Sequence, residues 1–311
     1  MLRLMFTFCA LLYVSLPAAA ESYTLVDKWQ VNFGRGQDHA TYRTAACPDG
    51  TFYLSDNFGR VAVIDAGGKV TSRQIRREFV TARALACDAA SSLYIADARN
   101  IWVMRGGAIV SRRQTEVLMT ALAPASNDSI YVCGSRRVNR LPLHLIDGQG
   151  RVVKSFGIES GMSLSRIYPN FEGQLLWQDD LKRLLYIPRW KDFEVQAYGP
   201  DGQSIGVFGA PRPRILPVRV SDAEPALGQV VSMARLPGGG IAIQREVDDW
   251  GRGLPSRMLE VYDSRLRRLG VALSDVRMLA GSAADGDLYL TTLSPRGLQV
   301  FKVGLVKRLS L

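Results

Sequence analysis

The chain has 311 residues, 47% of them hydrophobic, and a formal net charge of +10 with a pI near 9.7. That apolar content excludes a disordered protein and provides for a real core. The basic balance would point to nucleic acid in a cytosolic protein, but the start of the chain removes that partner class.

Arg3 supplies a short positive segment, residues 4–16 are apolar and uncharged, and Pro17 with Ala18-Ala19-Ala20 supplies a break and a small-residue cleavage site. The apolar run is well short of the ~20 residues that span a bilayer. Residues 1–20 therefore read as a cleaved signal peptide, and residues 21–311 as a single exported domain, periplasmic or secreted. Cys9 lies inside the apolar run behind Phe6-Thr7-Phe8, which lacks the small-residue pattern of a lipoprotein box. No nucleic acid and no membrane span are expected, and a monomer is. Outside the cytoplasm the anions available to a basic surface are lipid headgroups, lipopolysaccharide and acidic wall polymers.

Residues 23–30 read as a strand, and their continuation Val31-Asn32-Phe33-Gly34 resembles two later segments, Ser155-Phe156-Gly157 and Val207-Phe208-Gly209. The first unit then has strands at 42–47, 51–56, 60–65 and 69–76, joined by Pro48-Asp49-Gly50 and Gly67-Gly68, which suit tight hairpins. The second has strands at 83–87, 93–97, 101–105 and 108–112. The third has 129–133, 143–147 and 151–156, with the hairpin signal Asp147-Gly148-Gln149-Gly150.

The fourth unit reads as 175–177, 184–189, 193–198 and 204–208. Pro188 cannot donate to a ladder and ends the second strand or bulges it. A rival register makes 175–179 the second strand; the spacing from Arg189 to Phe193, which copies that from Asp56 to Arg60, argues against it. The fifth unit has 232–236, a turn at Gly238-Gly239-Gly240, then 241–245, 258–263 and 267–272. The sixth has 287–292 and 298–303, completed either by 306–310 or by the strand at 23–30; the latter is preferred because it locks the ring.

A repeat of about 40 residues with several strands per unit is the signature of a β-propeller. The expectation is an all-β, six-bladed β-propeller of four-stranded antiparallel blades, closed by an N-terminal strand. Seven blades is the alternative, if residues 158–182 hold extra strands.

Arg73, Arg76, Arg77, Arg112, Arg113, Arg265, Arg267 and Arg268 fall on or beside predicted outermost strands, where charge discourages edge-to-edge pairing. Cys47, Cys87 and Cys133 remain after cleavage. Cys47 and Cys87 occupy equivalent positions on neighbouring innermost strands. An inner radius of roughly 7 Å puts them at the outer limit of disulfide reach, so three buried free thiols are expected. With no Cys-x-x-Cys and only His39 and His144, a structural zinc site is poorly supported.

The pattern Asp49-Gly50, Tyr53-Leu54-Ser55-Asp56 and Arg60-Val61-Ala62-Val63-Ile64-Asp65, repeated at Leu93-Tyr94-Ile95-Ala96-Asp97, resembles the NHL-type and TolB-like six-bladed propellers. The likeness spans nearly all of residues 22–311 and is clearest in the first two units. It implies the propeller fold. It leaves activity open, because that superfamily includes extracellular binding modules, lactonases and lyases.

Antiparallel order places the loops after each second strand, and those between blades, on one face of the disc. These are the longer loops, and long loops on a rigid scaffold carry ligands. Here fall Asp38, His39, Asn57, Arg99, Arg136 and Arg137, together with insertions at 210–217 and 246–257. The candidate binding residues are Arg189, Trp190, Lys191, Arg245, Trp250 and Arg252: two aromatic anchors among guanidinium and ammonium donors. Asp192, Asp248 and Asp249 counter them, and both tryptophans have the plainer role of packing their loops onto the disc.

No cofactor is expected. The alternative is calcium held by Asp56, Asp97, Asp248 and Asp249, since oxygen ligands suit it and the resembling lactonases hold a metal with carboxylates and an Asn near the channel mouth. The equivalent positions of the other units are Gly134, Arg189, Arg245 and Thr292, and the two arginines oppose a cation. Neither a Gly-x-Ser-x-Gly elbow nor a phosphate-cradling glycine loop occurs in a strand-to-helix context. The sequence therefore favours a non-catalytic binding scaffold of the cell envelope, with an envelope protein or anionic envelope component as partner. The enzyme alternative is a lactonase-like, metal-assisted hydrolase or lyase with its site at the channel mouth.

Overall fold

The computed structural model describes residues 23–31, 43–56, 59–74, 82–125, 128–138, 141–157, 173–188, 194–208, 228–247, 256–274, 278–294 and 297–305. The chain opens with β1 (Tyr23–Val31). Blade 1 follows as β2 (Arg43–Ala46), β3 (Phe52–Ser55), β4 (Arg60–Ile64) and β5 (Val70–Gln74). Blade 2 is β6 (Ala84–Cys87), β7 (Leu93–Asp97), β8 (Asn100–Arg105) and β9 (Ala108–Gln114). Blade 3 is β10 (Leu118–Pro124), β11 (Ile130–Ser135), β12 (Leu143–Ile146) and β13 (Val152–Phe156). Blade 4 is β14 (Gly173–Gln178), β15 (Arg183–Pro188), β16 (Val195–Tyr198) and β17 (Ser204–Phe208). Blade 5 is β18 (Gly228–Arg235), β19 (Ile241–Val247), β20 (Ser256–Tyr262) and β21 (Arg268–Ser274). Blade 6 takes β22 (Met278–Ser282), β23 (Leu288–Ser294) and β24 (Gly297–Leu305), and its outermost strand is β1.

The protein is thus an all-β propeller of six four-stranded antiparallel sheets. The seven-blade alternative fails because residues 173–188 are the innermost pair of strands of blade 4, in the preferred register and with Pro188 ending β15. The innermost strand of blade 3, which has no distinct signal in the sequence, is β10. Among the described residues no helix is long and apolar enough to cross a membrane.

The strand pattern follows from the packing. A blade buries both of its faces, so its inner strands read as continuous apolar runs rather than alternating ones. In β7, Leu93 and Ile95 point to blade 1, while Tyr94 and Ala96 point to blade 3. Side chains on a strand alternate between faces, so one run of apolar residues feeds two cores. Six hydrophobic clusters result, one between each pair of successive blades. On the outermost β9 the pattern reverts to strict alternation of exposed and half-buried residues.

Three kinds of tie hold the ring. β1 pairs antiparallel with β24 from Tyr23↔Leu305 to Val31↔Leu298, joining the two ends of the chain in one sheet. Trp29 of that strand packs over Gly68 of blade 1, where a Cβ would lie 3.1 Å from the indole nitrogen. Side chains also bond across blade boundaries: Thr44 to the Ala280 carbonyl at 2.9 Å, Ser232 to the Leu279 carbonyl at 2.6 Å, and Gln178 to the Gly239 carbonyl at 2.9 Å.

The third tie corrects an expectation. Cys47 and Cys87 form a disulfide between blades 1 and 2, with their Cα atoms 5.2 Å apart, and among the described residues Cys133 is the one free thiol. The radius argument overestimates the spacing at this pair, whose Cα separation lies within ordinary disulfide reach.

The arginines of the outer strands also do more than guard edges. Arg113 pairs with Asp128 across the blade 2–3 boundary, and Arg112 lies over the Trp102 ring at 4.8 Å. Arg267 closes its own turn on Asp263. Arg76 and Arg77 lie outside the described residues.

Candidate functional site

The six innermost strands surround a central cavity of about 1160 Å³. Its wall is built largely from small side chains, among them Ala45, Ala84, Ala121, Ala234 and Ala280. Each inner strand runs from the face with the long loops to the face with the short hairpins, so its first residue marks one mouth and its last the other. At the long-loop mouth stand Arg43, Arg83, Gln174, Arg257 and Thr292. At the opposite mouth stand Asp88, Asp179 and Arg235, together with the bonded Cys47 and Cys87. Arg235 pairs with Asp180 at 3.0 Å there. Charge is therefore sorted along the axis: the described acidic residues lining the cavity lie at the hairpin end, and the long-loop end carries arginines.

Of the four carboxylates considered as metal ligands, the two that are described, Asp56 and Asp97, are each engaged within their own blade. Asp56 is fully buried, its Oδ1 accepts from the Arg60 backbone at 2.9 Å, and its Oδ2 takes the Arg60 Nε at 2.5 Å. It closes the turn between β3 and β4. Asp97 accepts from the Trp102 indole at 3.3 Å, within its own blade. Gly134 at the equivalent place in blade 3 is needed for close approach, because a Cβ would meet the Leu118 carbonyl at 2.3 Å. Asp248 and Asp249 lie outside the described residues.

Arg245 is not a surface donor. It is fully buried, and its Nε meets Glu260 Oε2 at 2.6 Å. Tyr262 donates to the same oxygen at 2.9 Å, and Arg268 reaches Oε1 at 3.4 Å. Alternation explains the error: Ile241, Ile243 and Arg245 share the face packed on blade 4, so the arginine sits at the end of a core stripe. Arg189, Trp190, Lys191, Trp250 and Arg252 lie outside the described residues, as do Asp38, His39, Asn57, Asp192 and the insertion at 210–217. Arg136 pairs with Glu116 beside blade 3.

His144 is wholly interior. Nδ1 lies 2.8 Å from the Ser155 hydroxyl and Nε2 lies 3.3 Å from the Gly134 carbonyl. Burial pushes the imidazole from its ordinary 6.5 down to about 4, so it is neutral at pH 7. A carbonyl only accepts, so Nε2 carries the proton and Nδ1 accepts from Ser155. The residue is a structural hydrogen-bond bridge between strands.

Arg43 and Arg83 are the residues the sequence reading passed over. Arg43 Nε donates to the Arg83 carbonyl at 2.7 Å, tying blade 1 to blade 2 at the rim of the cavity, across a sequence separation of 40. That equals the separation of the bonded cysteines. An arginine recurring at the repeat period, at the start of β2 and immediately before β6, is the signal that marks them.

No protein-family profile and no curated protein matches the chain. Solved structures do share its shape. A gluconolactonase from Xanthomonas campestris superposes with a TM-score of 0.58 at 13% identity, covering 93% of this chain and 97% of that one. Virginiamycin B lyase from Staphylococcus aureus gives 0.52 at 11% identity, covering 90% and 99%. A chain of the mitotic checkpoint complex gives 0.55 at 12% identity, covering 97% and 98%. Two enzymes and a member of a protein assembly share the architecture, so the likeness extends to the fold alone.

Proposed function

We propose that the protein is an exported, non-catalytic recognition module of the cell envelope, periplasmic or secreted, using the long-loop face of the propeller. The observation that carries this reading is the buried ion pair of Asp56 with Arg60, which commits the best-placed carboxylate of that face to holding its own turn. A metal-assisted hydrolase or lyase would need that carboxylate turned toward a reacting group at the channel mouth. The partner is an envelope protein or anionic envelope component, engaged by Arg189, Trp190, Lys191, Trp250 and Arg252.

The test is a Trp250→Ala, Arg252→Ala double variant used as bait in envelope extract. Loss of a partner captured by the parent supports the reading. A folded variant that retains every partner overturns the proposed face. Stoichiometric calcium in the purified protein by elemental analysis would instead favour the enzyme.

A further inference from the structure

The long-loop mouth of the central cavity carries a second kind of chemistry, independent of the rim loops. We infer that this mouth is a binding site for a compact anion bearing carboxylate or phosphate groups, held by Arg43 and Arg83. Four observations support it.

The cavity, at about 1160 Å³, is large enough to admit a small molecule. The described charged residues lining this mouth are Arg43, Arg83 and Arg257, whereas the described carboxylates lining the cavity, Asp88 and Asp179, lie at the other end. An anion entering from the long-loop face therefore meets guanidinium groups and is not opposed by those carboxylates.

The two guanidinium-bearing residues are also fixed in relation to each other. The bond from Arg43 Nε to the Arg83 carbonyl pins one side chain to the backbone of the other. A pinned guanidinium loses less freedom on binding than a mobile one, and its planar fork suits carboxylate and phosphate oxygens. Gln174, also at this mouth, accepts at its side-chain oxygen from the Met233 backbone at 3.2 Å.

The fourth observation is an orphan. Ser55 stands directly opposite Arg43 in the β2–β3 ladder, so the two side chains share a face. Its hydroxyl is fully buried and has no hydrogen-bond partner among the described residues. Buried hydroxyls are ordinarily satisfied, and an unsatisfied one marks the place of a water or a bound group. Here that place is beside the arginine that would take the anion.

Calorimetric titration of the purified protein with citrate and, separately, with inorganic pyrophosphate tests the inference. The parent should bind at least one probe in low salt. Citrate alone identifies a carboxylate ligand, and pyrophosphate alone a phosphate ligand. Arg83→Gln should weaken binding about tenfold, the loss of one charge-assisted bond. Among the described residues its side chain makes no tie of the kind Arg43 makes, so the variant should fold, and its thermal melt checks this. Arg43→Gln should weaken binding at least as much. Arg151→Gln, an exposed arginine on a hairpin of the opposite face, should leave it unchanged. Absence of binding to both probes by the parent overturns the inference. So does equal weakening by Arg151→Gln, or unchanged affinity in folded Arg83→Gln. Capture of a protein partner through the rim loops neither requires this site nor depends on it, so the two readings fail separately.

Discussion

Arg245 and Glu260 form an ion pair with both side chains fully buried, Nε to Oε2 2.6 Å, between blades 4 and 5. Tyr262 and Arg268 complete the shell around the carboxylate. Removing one partner of a buried pair strands the other charge, which costs far more than the pair contributes. Arg245→Met should therefore destabilise the protein by about 3–5 kcal/mol. Adding Glu260→Leu to that variant should recover part of the loss. Urea denaturation of the two variants checks both, and a near-neutral single variant would contradict the geometry.

His144 gives a pH dependence with a definite sign. Its folded value is lowered to about 4 against an ordinary 6.5, so the unfolded chain binds the proton first. Stability from this group is fully present above pH 6.5 and falls as pH drops toward 4, by about 3 kcal/mol in total. His144→Gln should flatten that part of the stability profile, although carboxylates elsewhere will still titrate below it. A parent and variant with parallel stability curves over this window would refute the assignment.

The Cys47–Cys87 bond closes a loop with a sequence separation of 40, which by chain entropy stabilises the fold by about 3–4 kcal/mol. A Cys47→Ser, Cys87→Ser variant should melt several degrees lower than the parent. Reductant should lower the parent's melting temperature and leave that of the variant unchanged. Alkylation after unfolding without reductant should label Cys133 alone.

Asp56→Asn keeps the shape of the side chain but removes the charge that holds Arg60. A stability loss of about 1–3 kcal/mol is expected, the usual cost of weakening a buried charged hydrogen bond. Partner capture and anion binding should both persist. Loss of function with unchanged stability would return Asp56 to the candidate site.

Much of the architecture was legible because a blade repeats its chemistry. Turn residues and continuous apolar second strands locate four of the six innermost hairpins, leaving the innermost strands of blades 3 and 6 without a signal, and the Phe-Gly ending of two outer strands has a physical cause. Phe156 packs edge-on against Tyr198 of the next blade at 5.4 Å, and Phe208 against Tyr262 at 5.6 Å. Gly157 then turns the chain at a φ of 100°, with Pro142 so close that a Cβ would lie 3.1 Å from its ring. The innermost strand of blade 3 was missed because Leu118 to Pro124 has neither flanking turn glycines nor alternation to mark it.

The candidate site was less legible, since a strand end looks the same in sequence whether its side chain faces a neighbouring blade or the channel. Arg245 was read as a loop donor and is core. Asp56 was read as a possible ligand, although Arg60, four residues on, was the sign of a local pair. Arg43 and Arg83 were read only as strand residues. Their separation by one repeat is visible in the sequence, but the bond from Arg43 to the Arg83 carbonyl exists only in the fold.

The closure of blade 6 by β1 bears on how the molecule is made. The first described strand, β1, pairs with the last, β24, whose Leu298 is synthesised 268 residues after Gln30. Among the described residues no contact spans a greater stretch of chain than this ladder, from Tyr23 to Leu305. Such long-range pairing is slow to form and leaves strand edges unprotected meanwhile. Until β24 is made, a growing chain holds β1 without its partner strand, so the ring closes at the blade that shares its first and last described strands.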